Sequence, residues 1–498
     1  MNLSKNTHKL SNLFIVGFEG TILTEKLKEK LLKLSPAGII LFDTNIESRE
    51  QVKKLIIDLK NSLGEKLLIS VDQEGGKVER LRKISPSLCS LYALGKASSE
   101  LITKGDGSLS EKSLENLKIH TRLLALDLVD LGFNLVFAPC ADLNSNPLNP
   151  IIGTRSLGEN SDLISMQLNI IINELKKYPL LHCVKHFPGH GDAKIDSHLA
   201  LPEIDLSELT KFEQHLKPFK ESIKLDTDSV MVAHARFKLP FQITEELKLE
   251  NGTSFSELPA SINSKLIKDF LSQYLKFNNL VISDEITMKA LNKFGSYESI
   301  AKKMIKAGND LVIWNTNIDE ALEVSEAELS SELLDLISGS LDKIDSFHEL
   351  LNERQKNHKM PENYDFEIDT LYQKQKDFLA PLFNNYDLKE FSSPDFIFSF
   401  DHHKIENFVL NKIFPDTPVE RFNNSSNLIE ILNKYQNKKI LVFSFLAYTN
   451  PKQREQINLI KESQNQVQEI ACDFPDSEAD INLFGFNRIH LDTLINFY

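Results

Sequence analysis

The chain has 498 residues, 41% of them hydrophobic and 26% charged, so it is long and apolar enough to form two globular domains. Its formal net charge of −14 argues against a general binder of nucleic acids or anionic membranes, because such proteins carry basic patches. Four cysteines without CxxC spacing favour buried, reduced thiols over a disulfide framework or a zinc knuckle.

The first apolar run of the chain, at residues 13–18, has the length of a β-strand. It is too short for the hydrophobic core of a signal peptide or for a membrane span, and no later run is long enough to cross a bilayer. We therefore expect a cytoplasmic protein with neither membrane nor nucleic-acid partners.

Over the first 340 residues, short apolar runs alternate with longer segments of helical periodicity. Strands are predicted at 13–18, 38–42, 67–72, 134–139, 181–186, 229–234, 280–285 and 310–315. The helices predicted between them include 48–63, 113–131 and 161–178, with Ser48 and Ser161 as N-caps. Eight such units predict a (β/α)₈ TIM-like barrel. A doubly wound open sheet is the alternative, but no G-x-G-x-x-G follows the first strand.

The rest of the chain differs in composition, and its one glycine after residue 341 is Gly485. Residues 352–365 are predicted to form a polar connector, 395–400 and 439–446 strands, and 451–463 a helix. We expect a barrel over 1–345, a connector over 346–390, and a smaller C-terminal α/β, sandwich-like domain of unknown role over 391–498.

Polar residues stand at or just after the ends of five consecutive predicted strands, the third to the seventh. In chain order they are Asp72, Asp142, Lys185, His186, His234, Asp284 and Glu285. Because the catalytic residues of (β/α)₈ barrels lie at the C-terminal ends of the strands, this alignment predicts an active site at that end.

The segment KHFPGHGDAKIDSH, residues 185–198, carries three histidines and two aspartates on a backbone that Pro188 and Gly189 keep out of a regular helix. Asp196 and His198 are two residues apart, so in an extended loop they face the same way and form an acid/base pair. Asp284 at the barrel mouth is a candidate nucleophile. A carboxylate with a proton donor is the minimum set for retaining glycoside cleavage.

Other chemistries receive less support from the sequence. His186 and His190 are four residues apart, but Pro188 prevents the helix that a zinc-binding H-E-x-x-H pair needs, and the DHH at 401–403 has no companion cluster. No G-x-S-x-G indicates a serine hydrolase. We expect neither a metal nor a cofactor.

Five motifs in order resemble glycoside hydrolase family three β-N-acetylhexosaminidases, the bacterial β-N-acetylglucosaminidases of peptidoglycan recycling. The motifs are VDQEGGKVERL (71–81), GFNLVFAPCADL (132–143), GTRSLG (153–158), KHFPGHGDAKIDSHLALP (185–202) and VISDEITMKAL (281–291). The family fold is a (β/α)₈ barrel, which agrees with the strand pattern. The SDE at 283–285 departs from the more frequent Ser-Asp-Asp but keeps the nucleophile.

The resemblance implies a role for each matched position. Asp284 corresponds to the nucleophile that forms a glycosyl-enzyme ester, His198 to the acid/base, and Asp196 to its partner. The residues that correspond to the sugar-gripping set are Asp72, Arg80, Arg155, Lys185 and His186. His190 and Asp192 are expected to hold the shape of the loop, and contact with the substrate is the alternative for each.

Together these observations predict a retaining exo-β-N-acetylglucosaminidase acting on a terminal β-linked N-acetylglucosamine, in a muropeptide or a chitooligosaccharide. The alternatives are a phosphorylase that uses the same residues, a β-glucosidase of the same family, and a non-catalytic sugar-binding protein. The sequence indicates no oligomeric state.

Overall fold

The computed structural model describes residues 8–99, 109–147, 149–194, 201–241, 243, 258–315 and 317–380. Beyond these it describes 396–399, 417, 419–421, 428, 437–444, 451–463, 465–471 and 481–482. Within these ranges, no helix is both long and apolar enough to cross a bilayer. Cys89, Cys140 and Cys183 are buried free thiols, as predicted, and Cys472 lies outside the described residues.

Eight parallel strands close into a barrel, so the predicted TIM-like fold is confirmed and the open-sheet alternative is wrong. In chain order they are Phe14–Val16 (β1), Gly38–Leu41 (β2), Leu68–Val71 (β3), Leu135–Val136 (β4), Leu181–Phe187 (β5), Ser229–Val232 (β6), Leu280–Glu285 (β7) and Leu311–Trp314 (β8). Each strand pairs with its neighbours in sequence, and β8 pairs with β1 to complete the ring. The strands are buried almost throughout, which explains why they read as continuous apolar runs.

Helices surround the barrel and continue beyond it. They are Glu25–Leu34 (α1), Arg49–Leu63 (α2), Leu91–Ser99 (α3), Glu111–Leu131 (α4), Ser161–Leu175 (α5), Leu209–Lys224 (α6), Tyr297–Ala307 (α7), Ile318–Ser325 (α8), Ser331–Asn357 (α9), Tyr364–Leu379 (α10) and Pro451–Lys461 (α11), with a π-helix at Lys265–Tyr274. Ser48 caps α2, as predicted. The predicted Ser161 cap is wrong, because Asn160 is the N-cap of α5 and its side chain accepts hydrogen bonds from the backbone N–H groups of Asp162 and Leu163.

The predicted polar connector at 352–365 is also wrong over most of its length. Helix α9 runs to Asn357 and α10 begins at Tyr364, so only six residues separate two helices. The polar residues lie on the solvent face of α9, whereas Arg354 turns inward and pairs with the buried Asp228 at 2.6 Å. The division of the chain into domains at residue 345, a position inside α9, stays a prediction.

The described part of the C-terminal region contains a five-stranded parallel sheet. Its strands are Phe396–Ser399 (β9), Val419–Arg421 (β10), Lys439–Ser444 (β11), Gln466–Ala471 (β12) and Ile481–Asn482 (β13), in the spatial order β10-β9-β11-β12-β13. Helix α11 connects β11 to β12. The predicted strands at 395–400 and 439–446 and the predicted helix at 451–463 are therefore confirmed where they are described.

Candidate active site

A cavity of about 420 Å³ opens at the C-terminal ends of the barrel strands. Six predicted site residues line it: Asp72, Arg80, Arg155, Lys185, His186 and Asp284. They come from four separate segments of the chain, which barrel closure brings together. Asp196 and His198 lie outside the described residues, so the acid/base pair stays a prediction.

A buried ion pair network forms one wall of the cavity. Lys185 Nζ, on β5, lies 2.8 Å from Asp72 Oδ1 and 2.5 Å from Glu74 Oε1. Burial alone would lower the pKa of Lys185, but the charges of Asp72 and Glu74 raise it above its usual range. The ammonium group is therefore held in its charged form at the base of the cavity.

Arg155 completes this network from a short 3₁₀ turn, Gly153–Arg155. Its Nε and Nη2 donate to the two carboxylate oxygens of Glu74 at 2.9 and 2.8 Å, a bidentate pair that fixes the guanidinium plane. Burial opposes ionisation of Glu74, yet the charges of Arg155 and Lys185 hold its pKa well below the usual range. Glu74 is thus the central anion of the wall.

Asp142, which follows β4, holds the start of the loop after β5. Its Oδ2 accepts from His186 Nδ1 at 2.6 Å and from the His186 backbone at 3.1 Å, and its Oδ1 accepts from the His190 backbone at 2.6 Å. Burial raises the pKa of Asp142, but His186 and His190 lower it to about 2. With Nδ1 donating, His186 Nε2 is the acceptor that lies 3.3 Å from Arg155 Nη2.

Asp284 and Glu285 end β7 at the opposite side of the cavity. The Glu285 backbone N–H donates to Asp284 Oδ1 at 2.8 Å, which orients the candidate nucleophile. Burial raises the pKa of Glu285 to about 7, and the nearby charge of Asp284 adds to this rise. The second carboxyl of the pair is therefore largely neutral below pH 7, which limits the negative charge beside Asp284.

The remaining predicted residues lie at the rim or behind the cavity wall. Arg80 lies over the Phe42 ring, 5.4 Å from its centroid, and 3.4 Å from Asp43 Oδ1. Asp192 pairs with Lys211 at 2.6 Å, as expected for a residue that holds the loop. His234 does not line the cavity, because its ring contacts Ser261 and the Glu285 carbonyl.

Sequence reasoning missed the importance of Glu74 and gave Asp142 no role. Both lie inside quoted motifs, and Glu74 follows Asp72 by two residues, so the signal was present. Their partners are distant in sequence, however, and a strand-end pattern alone does not identify which carboxylate faces a cation.

Within the described ranges, one group of side chains has the spacing to hold a metal ion: Cys140, Asp142 and His186. Hydrogen bonds already account for this cluster, because Cys140 Sγ and His186 Nδ1 both donate to Asp142 Oδ2. Burial also raises the pKa of the Cys140 thiol well above its usual value, which opposes the thiolate that a metal would need.

Comparison with known proteins identifies the family. The N-terminal domain of glycosyl hydrolase family 3 matches residues 7–338. The beta-hexosaminidase of Psychromonas ingrahamii is 33% identical over 300 residues, which are 60% of this chain and 81% of that protein. That of Neisseria meningitidis serogroup B is 32% identical over 292 residues, covering 58% and 74%.

Solved structures agree with the fold. A family 3 beta-N-acetylglucosaminidase from Paenibacillus sp. str. FPU-7 superposes with a TM-score of 0.77 at 22% identity, over 99% of this chain and 96% of that one. NagZ from Neisseria gonorrhoeae gives a TM-score of 0.57 at 25% identity, over 73% and 97%. The resemblance that the five motifs predicted is confirmed, and the chain belongs to glycosyl hydrolase family 3 as a glycosidase.

Proposed function

We propose that this glycosidase is a retaining exo-β-N-acetylglucosaminidase that removes a terminal β-linked N-acetylglucosamine from cell-wall fragments. The observation that carries the proposal is the cavity itself, which collects Asp284 and five predicted sugar-contacting residues at the C-terminal end of the barrel. Relatives named beta-hexosaminidase support it, as does NagZ of Neisseria gonorrhoeae, which has been solved in complex with N-trifluoroacetyl-D-glucosamine.

In the proposed mechanism, Asp284 attacks the anomeric carbon while His198 protonates the departing oxygen. Water then hydrolyses the glycosyl ester with His198 acting as the base, so the product keeps the β configuration. The hydrogen bond from the Glu285 backbone supports this role, because it holds one oxygen of Asp284 in a fixed position at the cavity. A neutral Glu285 side chain also avoids a second full charge beside the nucleophile.

The charge balance of the wall suits an uncharged sugar. Lys185 and Arg155 are matched by Asp72 and Glu74 inside the protein, so the wall offers polar groups with almost no net charge. Hydroxyl and acetamido groups bind such a surface without leaving a buried ion uncompensated.

The first experiment measures hydrolysis of 4-nitrophenyl β-N-acetylglucosaminide by the wild type and by Asp284→Ala. Asp58→Ala is the matched control, because Asp58 lies on α2 and its ion-pair partner among the described residues is the exposed Lys54. We expect the Asp284 variant to lose activity by several orders of magnitude and the Asp58 variant to keep it. NMR of the first-formed product distinguishes retention from inversion, and an α product would contradict the proposed mechanism.

The alternatives are outcomes of the same assay. Formation of sugar 1-phosphate when phosphate is added would indicate a phosphorylase. Faster turnover of 4-nitrophenyl β-glucoside would indicate a β-glucosidase, and sugar binding without turnover a binding protein. Comparing a muropeptide with a chitooligosaccharide then identifies the preferred leaving group.

A further inference from the structure

The loop after β5 places an unpartnered imidazole in the cavity wall. His190 is 2% exposed and lines the cavity. Neither its Nδ1 nor its Nε2 has a hydrogen-bond partner among the residues that the structure describes. Buried polar groups in folded proteins are almost always satisfied, so an exception that faces a cavity indicates a missing ligand.

The neighbouring His186 and Arg155 side chains, by contrast, already make hydrogen bonds within the protein. His186 uses Nδ1 for Asp142 and lies with Nε2 3.3 Å from Arg155. Arg155 donates to both oxygens of Glu74 and, through Nη1, to the Ile151 carbonyl. On this wall, the imidazole with free hydrogen-bonding capacity is therefore that of His190, although the sequence motif predicted His186.

The backbone of His190 is held firmly, so the ring is presented without a rearrangement. Its N–H donates to Asp142 Oδ1 at 2.6 Å, and its carbonyl accepts from Asn149 Nδ2 at 2.9 Å. Burial, with the nearby His186, lowers the pKa of His190 to about 4, so the ring is neutral at neutral pH. A neutral imidazole has one donor and one acceptor nitrogen, which match the donor and acceptor of a sugar hydroxyl.

We propose that His190 contacts the substrate directly, through a hydrogen bond between its ring and one hydroxyl or the acetamido group of the sugar in the cavity. This inference rests on the proposed function, since it takes the ligand to be an N-acetylglucosaminide. It assigns His190 to substrate binding as well as to the shape of the loop.

The chain offers a matched control for this proposal. His215 is also fully buried, and both of its ring nitrogens also lack partners among the described residues. It packs against the same loop, since a Cβ added at Gly189 would stand 3.1 Å from the Cβ of His215. His215 does not line the cavity, so His215→Phe repeats the chemical change without the proposed contact.

The test is a double-mutant cycle between protein and substrate. The kcat/KM values of the wild type, His190→Phe and His215→Phe are measured with 4-nitrophenyl β-N-acetylglucosaminide and its 2-, 3-, 4- and 6-deoxy analogues. His190→Leu and His190→Gln are measured in parallel, so that a poorly folded aromatic variant does not decide the outcome. Circular dichroism confirms that each variant is folded.

For one deoxy analogue, we expect the kcat/KM of the wild type and of His215→Phe to fall roughly 3- to 10-fold relative to the parent substrate, which corresponds to the loss of one hydrogen bond. For the same analogue, the kcat/KM of His190→Phe and His190→Leu should fall less than about 2-fold. His190→Gln should keep part of the discrimination. If every analogue lowers kcat/KM by the same factor in the His190 variants and in the wild type, the proposal is wrong, because a purely structural role would not single out one substituent.

The outcome can be separated from that of the proposed function. If the wild type does not hydrolyse the aryl glycoside, the same cycle is measured with the Kd values of N-acetylglucosamine and its deoxy forms by calorimetry. A coupling between His190 and one substituent then supports the contact although the hydrolase proposal has failed. Binding without such a coupling, or no binding of N-acetylglucosamine, overturns the inference.

Discussion

Replacing Glu74 by glutamine tests whether the buried charges of the cavity wall stabilise the barrel. The Glu74 carboxylate is inaccessible to solvent and lies 2.5 Å from Lys185 Nζ and 2.8 Å from Arg155 Nη2. Glutamine keeps the shape of the side chain but leaves the two buried cations with one counter-charge fewer. Removing one partner from a buried ion pair costs about 3–5 kcal/mol, because the remaining charge is neither solvated nor compensated.

The expected shift in melting temperature follows from this cost. A barrel of roughly 340 residues has an unfolding entropy of about 0.7 kcal/mol/K, so the loss corresponds to a fall in Tm of roughly 4–7 °C. Thermal and urea unfolding are followed by the fluorescence of Trp314, the one tryptophan of the chain, which is buried in β8 and therefore reports on the barrel.

A second variant provides the control. Lys66 and Asp345 also lie 2.5 Å apart, but their side chains are 70% and 59% exposed, so Asp345→Asn should cost under about 1 kcal/mol. Equally small losses in both variants would refute the reasoning, because burial would then have no influence on the strength of the Glu74 contacts.

Three further predictions concern two carboxylates, Asp142 and Glu285, and one arginine, Arg354. Asp142→Asn removes the acceptor that orients His186, so kcat/KM on the aryl glycoside should fall roughly 10- to 100-fold; unchanged kinetics in a folded variant would contradict this. Glu285 takes up a proton on folding between its unfolded pKa and its folded pKa of about 7, so the stability of the wild type falls as pH rises through this window. Glu285→Gln removes this contribution, so in urea unfolding the wild type should lose roughly 2.5 kcal/mol more stability between pH 5 and pH 8 than the variant does; parallel pH profiles would argue against it. Arg354→Met leaves Asp228 without its bidentate partner and should cost about 3–5 kcal/mol in urea unfolding, whereas a loss below about 1 kcal/mol would mean that α9 is not anchored by this pair.

The barrel could be predicted because its evidence is local. Each strand is a short apolar run bounded by turn residues, and parallel strands buried on both faces show no alternation that might be mistaken for an exposed sheet. The strand ends were equally informative, since Asp72, Lys185 and Asp284 follow or end such runs and all line one cavity. Because the active sites of (β/α)₈ barrels lie at the C-terminal ends of the strands, these three positions could be assigned to one site.

The errors arose where a residue's environment depends on distant parts of the chain. Residues 352–365 look like a polar connector because sequence does not reveal that Arg354 meets Asp228, 126 residues earlier, beneath the barrel. The cap of α5 was misplaced by one residue because Asn160 and Ser161 are both good caps, and only the backbone angles decide between them. Long-range pairing and local geometry are therefore what the sequence left open.

The same limit explains why the roles of the predicted sugar-contacting residues need refinement. The motifs indicate that Lys185, Arg155 and His186 belong to one site. They do not reveal that these side chains make hydrogen bonds within the protein, to Asp72, Glu74 and Asp142 respectively. These internal contacts fix the side chains before substrate arrives, which reduces the entropy that binding must overcome. They also match the cations of the inner wall with carboxylates, so this wall has little attraction for an additional anion such as phosphate. The charge balance therefore favours water over phosphate as the acceptor, and we expect added phosphate to leave the free sugar as the product.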